Sequence, residues 1–368
     1  MNTTSEAGMY SSQTASFFQQ GYQRYRSALS GIPDRVPVYA QLHEFALNEL
    51  KVSPKKFYTT PELLVSGSLE VMQTYGIDVA VLDYDVYNIE AEALGQEIIF
   101  SDDFMPDVDR AKPLIREKSD LKKIRTPDFE KDGRFPVVLE MNRLFQEQTG
   151  GLDGTPGFCA PFSLAANLRG FEQLLMDIHA DPEFARELFE RITDDVLAPW
   201  ILRLKKTCPD AIGICGSDAW TGLPIVSPDI IRDWIVPYVQ RLQKQCGHEI
   251  YVPNWVGESF LKNPEIMLDL KLQVCPGFIE GQDPDVEKLG PSFYKTYANK
   301  RGVPLVLGIG AAFLANEKPE QIRERVRQYI QFGGAGGRLV LYLCNLSATT
   351  PPENVRAAIQ AIQEYGVY

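Results

Sequence analysis

Residues 78–95, DVAVLDYDVYNIEAEALG, decide how the rest of the chain is read. A short apolar run, Val79 to Leu82, ends abruptly in Asp83, Tyr84 and Asp85, and Tyr87, Asn88, Glu90 and Glu92 follow. Charge is costly in a core, so the backbone has to leave the interior at Asp83. Taken alone, the stretch reads equally as a solvated acidic loop or as a buried strand that delivers polar groups to a site.

The flanking sequence repeats the pattern. Apolar runs end in polar residues at VPVYAQL (36–42, then His43 and Glu44), GTPGFCAPF (154–162), AIGICGSD (211–218) and EIYVPNW (249–255). FIEG (278–281, ending at Glu280), VPLVLGIG (303–310) and RLVLYLC (338–344, then Asn345) continue it. Most of these runs are separated by residues with helical apolar spacing. Pro61 opens one such helix and Gly76 closes it. Asp181-Pro182 and Ser227-Pro228 open others. Strands separated by helices are parallel, joined by crossovers. Eight such units in 368 residues predict a single TIM (β/α)8 barrel over residues 14–368. A doubly wound open sheet is the alternative. Residues 14–29 predict an N-terminal helical extension, residues 96–130 a loop insert with a hairpin, and residues 1–13 a disordered tail.

Composition narrows the function classes. A net charge of −12 opposes binding to nucleic acid or to an anionic membrane. No apolar run is long enough to span a bilayer, and the N-terminal residues lack the features of a secretory signal. Six scattered cysteines without a CxxC pair read as reduced thiols of a cytoplasmic protein. Neither a phosphate loop nor a nucleophile elbow is present; the Gly-rich run 333–337 precedes a strand rather than following one.

In a (β/α)8 barrel the C-terminal strand ends share one face, and sites sit there. That face would gather Asp83, Tyr84, Asp85 and Asp218 as candidate catalytic groups. His43, Tyr87, Asn254, Trp255 and Glu280 would contact substrate, with Cys344 and His43 as metal donors. Glu90 and Glu92 would shape the entrance, and Cys159 and Cys275 read as core. His248 precedes its strand and falls at the opposite end, and His179 lies at a helix terminus.

Several stretches now resemble one family. DRVPVYAQLHEF (34–45), YGIDVAVLDYDVYNIEAEALG (75–95), APFSLAANLRG (160–170), SDAWTGLPIVSPDIIRDWIVPY (217–238) and LCNLSATTPPENV (343–355) are similar to the uroporphyrinogen decarboxylase superfamily, and within it to the methyltransferase branch. The resemblance spans about residues 20–365. It implies a TIM barrel that moves a methyl group between a small-molecule methyl donor (O-, N- or S-methyl) and a corrinoid, the cobalamin being held on a separate carrier protein. The O-demethylase-type members of that branch are included. A decarboxylase-like lyase acting on another small carboxylated molecule is the alternative. The resemblance also implies zinc held by a cysteine seven residues before the TPxEN-like turn, which is Cys344 before Pro351, and it makes a homodimer possible. Two departures stand out. The arginine-rich segment that follows the first strand of true decarboxylases reads YAQLHEF here. The HxC zinc segment at the end of the fifth strand reads VPNW.

Overall fold

The computed structural model describes the backbone from Thr3 and the side chains from Ser12 onwards to Tyr368, so the tail expected over residues 1–13 lies in part outside the described residues. A long helix, α1 (Thr3–Ser30), leads into β1 (Val38–Ala40). The remaining barrel strands are β4 (Gly157–Cys159), β5 (Ile214–Ser217), β6 (Ile250–Tyr251), β7 (Ile279–Gln282), β8 (Leu305–Ile309) and β9 (Leu339–Leu343). Two short strands, β2 (Ile98–Ile99) and β3 (Asp107–Val108), pair antiparallel as the hairpin expected within the insert.

The barrel is laddered in two arcs, both parallel. One arc has the order β1-β9-β8-β7 and the other β4-β5-β6. Residues 79–84 lie at the seam between β1 and β4 and carry no strand ladder, which corrects the strand expected there. Val79 N–H bonds the Val38 carbonyl at 3.1 Å. Further along, the Tyr84 hydroxyl donates to the Gly157 carbonyl at 2.6 Å and accepts from the Gly157 N–H at 3.3 Å. A side-chain hydroxyl thus serves both backbone groups that a neighbouring strand would otherwise satisfy.

Side chains alternate across each strand. Leu339, Leu341 and Leu343 join the main core beneath the helices with Leu305, Leu307 and Ile309. Val340, Tyr342 and Cys344 turn the other way and cluster with Val306, Tyr39 and Phe278 inside the barrel. Helix ends carry conventional signals. Asp181 accepts from Phe184 N–H, Ser227 accepts from Ile230 N–H, and Gly76 at φ +76° ends the helix Pro61–Tyr75.

Helix α1 packs close to the residues that precede the seam. A Cβ at Gly21 would lie 1.8 Å from the Asp78 carbonyl oxygen, so only glycine permits this approach. The Asp78 carboxylate, 1 % exposed, binds Arg24 Nη1 at 2.7 Å, Arg35 Nη1 at 2.7 Å and Nη2 at 2.5 Å, and Val38 N–H at 3.2 Å. One buried anion therefore joins α1, the start of β1 and the seam. No helix among the described residues is long and apolar enough to cross a membrane.

Truncating Asp78 removes the anion that joins the two guanidinium groups: Arg35 loses its carboxylate partner, while Arg24 keeps Asp34. Asp78→Ala is expected to lower unfolding stability by about 3–5 kcal/mol, read as a shift in urea midpoint. A loss below about 1 kcal/mol would show that this ion pair behaves as a surface pair.

Candidate functional site

The inward positions of the strands do not fill the barrel. They enclose a cavity of about 630 Å³, which runs from the C-terminal strand ends down to α1. Gln41, Asp83, Tyr87, Asn254, Gln282 and Asn345 line its upper part. Tyr39, Cys215, Tyr251, Glu280, Val306 and Tyr342 line its waist. Tyr25 and Leu29 of α1 line its floor with Phe278 and His248. His248 is exposed and lies at the N-terminal end of its strand, as its sequence position implies; His179 is exposed too.

At the upper rim His43, Asp83 and Asn345 meet. The His43 ring bonds Asn345 Oδ1 through Nε2 at 3.0 Å and places Nδ1 3.5 Å from Asp83 Oδ2. Both His43 (φ +40°) and Asn345 (φ +45°) hold left-handed backbone, which is strained for a residue such as histidine. Asp83 Oδ2 is buried and has no hydrogen-bond partner. Burial raises the Asp83 pKa, and His43 together with the backbone amides of Leu42 and His43 opposes the rise. Across the rim, Asn254 Nδ2 bonds the Tyr87 hydroxyl at 3.2 Å while its Oδ1 accepts from Asp218 N–H at 3.1 Å.

The structure separates the sequence-predicted residues into two groups. His43, Asp83, Tyr87, Asn254 and Glu280 come together around the cavity. Asp85, Asp218 and Trp255 do not line it. Asp218 is fully buried, and its carboxylate takes bonds from Ser163 N–H (3.1 Å), Ser163 Oγ (2.6 Å), Thr221 Oγ1 (2.8 Å) and Trp255 Nε1 (2.9 Å). With its acceptor capacity occupied, it ties the helix Pro161–Arg169 to the loops after β5 and β6, and Trp255 is core. Asp85 pairs with Arg134 at 2.7 Å and accepts from Asn88 at 2.5 Å. Burial lifts its pKa to about 6 against the pull of Arg134. Arg134 also binds Glu92, so Asp85 and Glu92 fasten the loop to the helix Phe135–Thr149. Tyr84 touches the cavity, but Gly157 occupies its hydroxyl.

Glu90 lies deeper than an entrance residue. It is fully buried, Oε1 accepts from Cys159 N–H at 3.0 Å, and Oε2 has no partner. Burial pushes its pKa to about 8, with Cys159 N–H opposing.

Cys344 is buried among the inward side chains. A Cβ on Gly308 would sit 2.4 Å from its sulfur. Burial raises its thiol pKa well above the usual value, opposed by a hydrogen bond with Tyr342. A catalytic zinc site needs about three protein donors. Among the described residues no group of three or more His, Cys, Asp or Glu side chains could hold a metal ion. The donors expected from Cys344 and His43 therefore do not fit zinc, because His43 is already committed to Asn345 and faces Asp83.

Residues that the sequence did not single out supply much of the lining, above all Tyr39, Tyr251 and Tyr342. Each stands inside an apolar run, where a tyrosine reads as core. The strand period of two placed them on the inward face with Glu280 and Cys215.

Residues 22–365 match the family model described as "Uroporphyrinogen decarboxylase (URO-D)". The chain is similar to a uroporphyrinogen decarboxylase of Syntrophotalea carbinolica, 26 % identical over 342 residues and covering 89 % of each chain. It is likewise similar to a methylated-thiol–coenzyme M methyltransferase of Methanosarcina mazei, 26 % identical over 306 residues, covering 82 % of this chain and 76 % of that one. A solved methyltransferase structure from the same organism superposes with a TM-score of 0.76 at 20 % identity, covering 94 % of this chain and 98 % of that one. That likeness is one of fold.

Glu90 generates a pH test. Its folded pKa of about 8 stands above its ordinary 4.5. The stability it contributes is therefore whole below about pH 4.5 and is lost as pH rises through about 8. Glu90→Gln has no such loss. Its stability relative to the parent chain is expected to improve between about pH 5 and pH 8, by at most about 1.4 kcal/mol per pH unit. Denaturant titrations at several pH values check this, and a pH-independent difference would contradict it.

Proposed function

We propose that this chain, which belongs to the uroporphyrinogen decarboxylase family, moves a methyl group between a small methylated molecule and a corrinoid held on a separate carrier protein. The observation that carries the reading is the charge of the cavity. Its described lining includes Asp83 and Glu280, with Glu249 paired to Lys205, and contains neither lysine nor arginine. A polycarboxylated tetrapyrrole, or a smaller carboxylated substrate of a lyase, calls for guanidinium or ammonium groups at its carboxylates. This cavity instead presents carboxylates to such a ligand, at a repulsive cost that low polarity enlarges. The similarity to a methyltransferase of comparable length supports the same reading. Relatives named as decarboxylases share the family, and the charge of the lining disfavours their substrate here.

Methyl transfer is a displacement at carbon, in which the corrinoid supplies the cobalt centre that gives or takes the methyl group. The residues of this chain have three tasks. The aromatic wall of the waist limits the access of water to the methyl carbon. Gln41, Asn254 and Gln282 offer neutral hydrogen-bonding groups at the rim. Asp83 lines the rim with its pKa raised by burial, and it is the carboxyl group placed to give a proton to the leaving oxygen or nitrogen of an uncharged donor. The His43 ring, 3.5 Å from Asp83 Oδ2 and bonded to Asn345, orients that carboxyl group.

The chain is expected to methylate a reduced free corrinoid from small O-, N- or S-methyl donors, followed by the cobalt absorbance spectrum, and to release no carbon dioxide from uroporphyrinogen. Asp83→Asn is expected to slow transfer from uncharged donors by about 10²–10⁴-fold, with little change in donor binding. Decarboxylation of uroporphyrinogen by the purified chain would overturn the reading.

A further inference from the structure

The waist of the barrel is an aromatic chamber around one carboxyl group. Seven tyrosines line the cavity, together with Phe278, out of sixteen in the whole chain. Tyr39 and Tyr342 face each other in register on β1 and β9 and stack with ring centroids 4.8 Å apart and planes 2° apart. Tyr251 meets Phe278 edge to face at 5.5 Å and 74°. Glu280, 5 % exposed, enters this aromatic wall from β7. Its Oε1 accepts from Gln282 Nε2 at 2.7 Å and from the Tyr342 hydroxyl at 3.4 Å.

The position of Glu280 is fixed from behind. Lys271 Nζ donates to the Glu280 backbone carbonyl at 2.9 Å and to Glu258 Oε1 at 3.0 Å. Glu258 Oε1 also accepts from the Tyr294 hydroxyl at 2.8 Å. The ammonium group of Lys271 is thus spent outside the chamber, and no cation within the described lining balances Glu280 except the exposed His248 at the floor. Burial raises the Glu280 pKa, with Gln282 and Lys271 opposing; a cation entering the chamber would favour the ionised form.

We propose that the barrel waist, bounded by Tyr39, Tyr251, Tyr342, Phe278 and Glu280, binds a small methylated onium cation, a quaternary ammonium or tertiary sulfonium group. Aromatic faces attract such a cation through the ring quadrupole. Its charge is too diffuse to need hydrogen bonds, and a single carboxylate completes the balance. The assignment rests on the methyl-transfer reading for the fate of the ligand and adds a substrate class to the uncharged donors that Asp83 would serve. An onium methyl group needs no activation of the leaving atom. A nucleophile attacks the methyl carbon, the C–N or C–S bond breaks, and its electron pair leaves on a neutral amine or thioether while the nucleophile keeps the methyl group. No Lewis acid and no proton enter that balance, in keeping with a donor set that does not fit zinc.

Calorimetric titration of the whole chain with tetramethylammonium and choline tests the assignment. The control is the uncharged carbon isostere of choline, with a tert-butyl group in place of trimethylammonium. Both cations are expected to bind, with the isostere about tenfold weaker or worse. Glu280→Gln is expected to weaken choline by about tenfold, Tyr342→Leu likewise, while Tyr342→Phe keeps the ring and most of the affinity. Equal binding of choline and its isostere, or no binding of either cation by the parent chain, would overturn the proposal; both comparisons need no variant. Methyl transfer from uncharged donors without onium binding would remove this inference and leave the methyltransferase reading standing. Onium binding without any methyl transfer would do the reverse.

Discussion

The buried Asp78 carboxylate is the interaction on which the remaining architecture depends. A carboxylate at 1 % exposure is tolerable only with its charge paired and its lone pairs occupied. Arg24, Arg35 and the Val38 amide meet that requirement. Because the donors come from α1 and from the segment before β1, satisfying one anion also lays α1 across the barrel floor. Gly21 permits the close approach, and Tyr25 and Leu29 then face upward into the lumen. Were the helix displaced, the lumen would lose Tyr25 and Leu29 from its lower lining.

The placement of α1 matters because the lumen is hollow. Eight-stranded barrels are ordinarily filled by layers of branched side chains. Here several inward positions are small or polar: Cys215 and Ser217 on β5, Val306 and Gly308 on β8. The large inward side chains are tyrosines, which stack against one another and line the wall. The volume left, about 630 Å³, is that of a small-molecule site. The seam at 79–84 contributes as well. With no ladder to hold it, this segment relies on Val79 and on the Tyr84 hydroxyl, which leaves Asp83 directed at the rim.

The barrel was legible in the sequence because its signal is redundant: apolar runs, helical spacing between them, and polar residues after each run all agree. The seam was not, since Val79 to Leu82 has a strand's composition whether or not a neighbour pairs with it. Among candidate site residues, Asp83, Asn254 and Glu280 line the cavity, and His43 stands beside Asp83 and Asn345 at its rim. Sequence position could not tell a carboxylate facing a cavity from one facing its own scaffold. That distinction rests on partners remote in sequence: Ser163 and Trp255 for Asp218, Arg134 for Asp85. The tyrosines of the waist were hidden for the converse reason, because an aromatic residue within a buried run carries no local mark of facing a void.

The acids of this barrel thereby divide by what surrounds them. Asp218 has four donors on its two oxygens, and Asp85 has an arginine and an asparagine. Their charge is spent holding loops in place. Asp83 and Glu280 differ in lining a cavity without lysine or arginine, and neither has an arginine or lysine on its carboxylate. Groups in this second condition can change protonation, or meet an external cation, at modest cost to the fold, whereas removing the charge of the first pair would leave several buried donors unmatched. The division follows from hydrogen-bond accounting rather than from position in the barrel, since Asp218 after β5 and Asp83 in the seam stand at the same end of the barrel. It also shows how the acids around the lumen are tolerated: Asp78, Asp85 and Glu258 are paired locally with Arg24, Arg35, Arg134 and Lys271, while Asp218 is met by four neutral donors.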